Sequence, residues 1–118
     1  MLNEKIERSL NAQIKMEAQS SQFYLAMASW AETEGLMGTA KFLYTHSDEE
    51  REHMLKLVKF VNERGGRAHI PDLDAPPSSF DSVTEIFKML LQHEVNVTAS
   101  INEVVDVCLS EKDYTTHN

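Results

Sequence analysis

The chain is poor in everything that interrupts a helix. Its 118 residues include three prolines and four glycines, and these are bunched, so the segments between them run long and favour helix. One cysteine, Cys108, excludes an internal disulfide and fits a reducing compartment. Positive charge is scarce: 11 lysines and arginines face 19 aspartates and glutamates, for a net charge of −8. That balance argues against nucleic acid or an anionic membrane as partner. No apolar run approaches the length of a membrane span, and the opening MLNEKIERSL lacks the apolar stretch of a signal peptide. A cytoplasmic protein is the expectation. What is present is an ordinary apolar share of 42%, in a length that suits one domain, 1–118, with a modest core.

Apolar positions alternating by four and three mark out three helices. The first is expected over about 4–34, between a capping Asn3 and Gly35, with a buried seam of Ile6, Leu10, Gln13, Glu17, Ser20, Tyr24, Met27 and Ala31. The second, about 39–64, ends at Gly65-Gly66, and its seam reads Leu43, His46, Glu50, His53, Leu57, Phe60. The third, about 82–111, opens on Ser82-Val83-Thr84-Glu85, a pattern in which Ser82 and Glu85 satisfy each other's amides. Its seam reads Phe87, Leu90, Glu94, Val97, Ile101, Val104, Cys108. Asp113 reads as the cap of a fourth helix shortly before the final residue, Asn118.

The connections set the arrangement. A short link makes the first two helices an antiparallel hairpin. The crossover at about 65–81, GGRAHIPDLDAPPSSFD, holds all three prolines. Extended, it reaches ~55 Å, against ~40 Å for the second helix. It can run back along the bundle and set helices two and three parallel. The expected fold is all-α: a four-helix bundle with one long crossover, here three long helices and the start of a fourth.

Each seam carries polar residues near its middle: Glu17, then Glu50 and His53, then Glu94. Helix lengths bring these to about one level. Three uncompensated buried carboxylates would each cost several kcal/mol in desolvation, with repulsion added. They must be protonated, paired or metal-bound, and no lysine or arginine lies on the seams near this level. Oxygen-rich ligation with one imidazole suits Fe(II), Mn(II) or Zn(II). Glu50 and His53, at i and i+3, can reach one ion, and Glu50 has a second oxygen for another. A Glu-x-x-His pair alone is common on exposed helices. The weight rests on three acidic core positions sharing a depth. Of the neighbours, His46 reads as a satisfied histidine at the cavity edge and His93 as a surface residue. Glu52 points to solvent, and Cys108 and the methionines fill core.

The stretches KMEAQSSQFYLAM, SDEEREHM, LLQHEVNVTASI and SEKDYTTHN together resemble bacterial non-haem ferritin across the whole chain. The resemblance implies a ferroxidase centre with iron, two ions per complete centre. Glu17, Glu50 and His53 would hold the first ion, and Glu50 and Glu94 the second. Tyr24 would stand beside the centre, and Glu49 would serve a third, weaker site. Fe(II) would be oxidised by oxygen or peroxide and stored as mineral in a twenty-four-subunit homo-oligomeric shell. In bacterioferritin a haem-ligating methionine follows the bridging glutamate. Here that position is Arg51, so haem is not expected. The family continues through a full fourth helix and a fifth, and this sequence is expected to lack most of that part. Two other readings stay open: a non-storage di-metal protein that reduces oxygen or peroxide, and a truncated helical assembly module without activity.

Overall fold

The protein is described by a computed structural model over residues 2–111. Three helices account for most of it: α1 (Glu4–Thr33), α2 (Met37–Glu63) and α3 (Val83–Ser110), with no strand among the described residues. The expected start of a fourth helix at Asp113 lies outside the described residues.

The ends follow from local chemistry. Asn3 is extended, and its side chain accepts from the Lys5 amide at 2.8 Å, satisfying one of the donors a helix start leaves open. Gly35 (φ 75) stops α1 in the left-handed region that glycine enters without a Cβ penalty, and Gly65 (φ 85) does the same after α2. α2 begins two residues before the expected Thr39, at Met37, with no side-chain cap from Leu36. Ser82 Oγ accepts from the Glu85 amide at 3.1 Å, as its pattern suggests. The Glu85 carboxylate, however, accepts from the Asp81 amide at 2.9 Å instead of that of Ser82.

α1 is the central rod, with α2 and α3 both antiparallel to it. At one end Ala31 and Met27 share a core with Ala40, Leu43, Ile86 and Leu90. At the other, Leu2, Ile6 and Leu10 meet Val61 and Cys108. α2 and α3 are therefore parallel, as the long crossover suggests, and they make no close backbone approach to each other among the described residues. Reciprocal hydrogen bonds bring α1 and α2 together at mid-height: Ser21 Oγ donates to the Ser47 carbonyl at 2.9 Å and Ser47 Oγ to the Ser21 carbonyl at 2.7 Å. Small side chains are what permit that approach.

The crossover is held by side chains from the outer face of α1. Asn11 donates to the Arg67 carbonyl (3.0 Å) and accepts from the His69 amide (2.8 Å). Gln19 does the same with the carbonyl (3.0 Å) and amide (3.1 Å) of Asp74. These amides supply the backbone partners that a segment outside helices and sheets otherwise lacks. Phe80, at the end of the crossover, is buried edge-on to Phe23 and Trp30, with ring centroids 6.3 and 5.9 Å away.

All eight residues of the expected α1 seam are buried. In α2 the buried line is Ala40, Leu43, Ser47, Glu50 and Val61, turned toward α1. His46 is therefore only half-buried and His53 is exposed. In α3 Ile86, not Phe87, enters the core, while Phe87 and Ile101 stay 40% and 45% exposed. Among the described residues neither helix makes a close backbone approach to the other, so each buries a narrower stripe than a bundle seam would require. Between α2 and α3 lies an open groove of about 350 Å³, lined by Leu10, Leu57, Ile101 and Val104 with Gln13, Glu17 and His53 at its polar end.

Candidate metal centre

The two apolar clusters are separated by a polar layer. From α1 come Gln13, Glu17 and Ser20, all buried. From α2 come Glu50, also buried, and the flanking His46 and His53. From α3 come His93, Glu94 and Ser100, all half-buried. Fully burying a large apolar side chain contributes about 1.5–3 kcal/mol. The clusters on either side thus fix the helices tightly enough to hold charged groups at a depth they would not choose.

Glu17 is 4% and Glu50 6% exposed. Glu17 Oε1 accepts from Gln13 Nε2 at 2.9 Å, and Gln13 Oε1 in turn accepts from the Ser100 hydroxyl of α3. The other oxygens, Glu17 Oε2 and Glu50 Oε2, are buried with no hydrogen-bond partner. His53 Nδ1 lies 3.7 Å from the first and 3.9 Å from the second. Ligand atoms of Glu17, Glu50 and His53 all fall within 4.8 Å of one another. A second trio, His46, Glu50 and Glu94, meets the same condition. Glu50 belongs to both.

The electrostatics follow from this crowding. Burial, the Glu17 carboxylate within hydrogen-bonding reach, and the charges of Glu17, Glu94 and Glu49 push Glu50 up to about 9. Two buried carboxylates facing each other contain no donor, so their inner oxygens either share a proton or take a cation. Glu94 is different. Burial pushes it up, but hydrogen bonds from Tyr24 (hydroxyl to Oε1, 2.6 Å) and His46 (Nε2 to Oε1, 3.0 Å), with the charges of His46 and His93, bring it below the usual carboxylate value. Tyr24 is fully buried, and burial first, then its bond to Glu94, raise its phenol well above 10.0. Glu94 therefore stays a carboxylate and Tyr24 stays a donor.

Of the residues singled out in the sequence, Glu17, Glu50, His53 and Glu94 fall in the two trios, and Tyr24 touches Glu94. Glu49 is exposed and belongs to neither trio, although its charge acts on Glu50. His93 is not a surface residue. Its Nε2 lies 2.6 Å from Ser20 Oγ, and its ring packs 5.1 Å from Phe23 and 5.7 Å from Tyr24. Burial lowers it below 6.5. Sequence reasoning also passed over His46 as a ligand candidate, although its place one turn before Glu50, mirroring His53 one turn after, was visible.

Comparison with known proteins agrees with the helical fold. A family model described as a ferritin-like domain matches residues 7–118. A probable bacterial non-heme ferritin-like protein of Haemophilus influenzae is 41% identical over 118 residues, all of this chain and 72% of that protein. A bacterial non-heme ferritin of Campylobacter jejuni is 35% identical over the whole chain and 71% of its own length. Among solved structures, a Chlorobium tepidum ferritin superposes with a TM-score of 0.95 at 40% identity, covering 99% of this chain and 72% of that one. An open pore ferritin from Archaeoglobus fulgidus gives the same score and identity over 100% of this chain and 73% of its own. With a helical fold and a carboxylate–histidine layer already in place, these matches settle its kinship: the chain belongs to the ferritin-like domain family.

Proposed function

We propose that the protein is an iron-storage ferroxidase, taking Fe(II) as substrate at the polar layer and passing on Fe(III). The observation that supports this most is the pair of buried, unpartnered oxygens, Glu17 Oε2 and Glu50 Oε2, facing His53. Such oxygens are expensive without a cation and well placed with one. Glu17, Glu50 and His53 hold the first ion. Glu50, through its other oxygen, and Glu94 hold the second. Oxygen-rich ligation stabilises the harder Fe(III) over Fe(II) and so favours oxidation. Two Fe(II) ions together release two electrons. With two protons these take one dioxygen to hydrogen peroxide, or one peroxide to two waters. Tyr24 positions Glu94 by donating to Oε1, leaving the carboxylate charged and oriented. The exposed Glu49 serves a third, weaker ion position.

Binding displaces the proton that the Glu17–Glu50 pair otherwise holds, so uptake releases acid. The ferric product passes to mineral in a shell of twenty-four copies, within a cytoplasmic protein whose residues 1–118 form one domain. The relatives named ferritin support storage over a non-storing di-metal enzyme. The decisive experiment is Glu50→Ala, which removes the residue common to both trios. Stopped-flow absorbance should show Fe(II) oxidation slowed by about 100-fold or more, with helical content unchanged by circular dichroism. Oxidation at the parent rate in a folded Glu50→Ala protein would overturn the assignment.

A further inference from the structure

His46 and His53 stand on either side of Glu50, four residues before it and three after. Both therefore lie on the face of α2 that carries Glu50, one turn to each side. His53 closes a trio with Glu17, and His46 closes a trio with Glu94, each within 4.8 Å. The His46 ring is fixed. Tyr24 meets it at right angles, centroids 4.8 Å apart, and Phe42 lies 5.4 Å away. That leaves Nε2 3.0 Å from Glu94 Oε1.

We infer that His46 is a metal ligand, supplying the nitrogen of the second ion position as His53 supplies that of the first. The inference rests on the ferroxidase reading above and deepens it. Three helices would then provide a donor set for two ions, three carboxylates and two imidazoles, arranged about a shared Glu50 with one nitrogen per ion. The rival role for His46 is to orient Glu94 by hydrogen bonding alone. Glu94 Oε1 already accepts from Tyr24 at 2.6 Å, so it does not depend on His46 for a donor. Glu50 Oε2 faces the first position, so an orienting bond alone would leave the second ion only Glu94 and the other oxygen of Glu50, although the His46 nitrogen lies within 4.8 Å of both residues' oxygens. A cation between Glu50, Glu94 and His46 compensates both carboxylates at once. For this the Nε2 lone pair must be available. The proton now facing Glu94 leaves Nε2, either for Nδ1 of the neutral ring or to solvent, and the Nε2–Glu94 hydrogen bond is exchanged for two bonds to one ion.

Zinc tests this without turnover. Zn(II) is titrated by calorimetry into chelator-stripped protein, with ions bound by the Glu50→Ala variant subtracted as sites outside the centre. Zinc-edge X-ray absorption then counts imidazoles on the doubly loaded parent protein. The parent should bind two ions per chain and average one imidazole per zinc. His46→Gln, which keeps a side-chain donor for Glu94, should retain one ion at parent affinity and weaken the other at least tenfold. His53→Gln should do the converse. Two ions at parent affinity in His46→Gln, or half an imidazole per zinc in the parent, would overturn the role of His46 and leave the ferroxidase reading standing. No zinc at the centre of the parent would overturn that reading, and this inference with it. The absorption measurement uses the parent chain, so it decides the matter even if a variant misfolds.

Discussion

If the polar layer is built for cations, the metal-free protein should be strained in a way that titrates. Glu50 ordinarily ionises near 4.5 but is pushed up to about 9 by burial and by Glu17. The native state therefore keeps a proton that the unfolded chain loses once the pH exceeds 4.5. A raised carboxylate contributes its full share to stability below the unfolded value and loses it progressively up to the folded one. One proton corresponds to about 1.4 kcal/mol per pH unit. His93 lies below 6.5, so its opposing contribution, which rises with pH, is complete by about pH 7. Between pH 7 and 8.5 the Glu50 effect then acts alone and amounts to about 2 kcal/mol. Glu50→Gln removes the titrating group at nearly constant shape and places an N–H opposite the orphaned Glu17 Oε2. Urea denaturation in the presence of a chelator should show the parent losing about 2 kcal/mol across that interval. The variant should stay level and be the more stable of the two at pH 8.5. Zn(II) should reverse the order by displacing the proton in the parent. A parent protein with level stability from pH 7 to 8.5, or a Glu50→Gln variant weaker than it throughout, would refute the reasoning.

Other consequences are local. At Gly66 an added Cβ would lie 3.0 Å from Glu7 Oε1, 3.1 Å from Leu2 Cδ2 and 3.1 Å from Val61 Cγ1, so Gly66→Ala should cost about 1–3 kcal/mol in chemical denaturation through overpacking. Tyr24→Phe removes the 2.6 Å bond to the Glu94 carboxylate and should cost about 1.5–3 kcal/mol. It should also move the Glu94 titration upward when followed by carboxyl NMR, because that bond is among those holding it down.

Much of the fold was legible for reasons that do not depend on partners. Asn3, Gly35, Gly65 and Ser82 act through their own backbone neighbours, and each ends or begins a helix where expected. The α1 seam was legible in full because α1 touches both other helices and so buries a broad stripe, the case that periodicity describes best. The seams of α2 and α3 were legible only in part. A heptad pattern marks the apolar face but not how much of it meets a neighbour. Phe87 and Ile101 lie on such a face and remain exposed, because α1 covers only the side that carries Ile86 and Leu90. The amides of Asn11 and Gln19 could not be assigned beforehand: nothing in a polar residue on an outer helix face says that a crossover will lie against it.

The candidate site shows the same limit more sharply. Glu17, Glu50 and Glu94 were legible as acids at a shared depth, because buried charge is anomalous wherever it appears. Histidine carries no such warning. It is at home in cores, on surfaces and on metals, so its role depends on which atoms it meets. His93, one residue from Glu94, points to the Ser20 hydroxyl and two aromatic rings, while His46, seven residues before His53, meets two carboxylates. Sequence distance to Glu50 or Glu94 does not separate these cases; direction does. His93 precedes Glu94 by one position and so projects about 100° around the helix from it. His46 and His53 sit at turn spacing from Glu50 and project with it. A residue one position from a ligand is turned away from the ion, whereas one at turn spacing is turned toward it. On that criterion the pattern His-x-x-x-Glu-x-x-His on a helix with a half-buried face is itself the signal, and it reads as two imidazoles flanking one shared carboxylate.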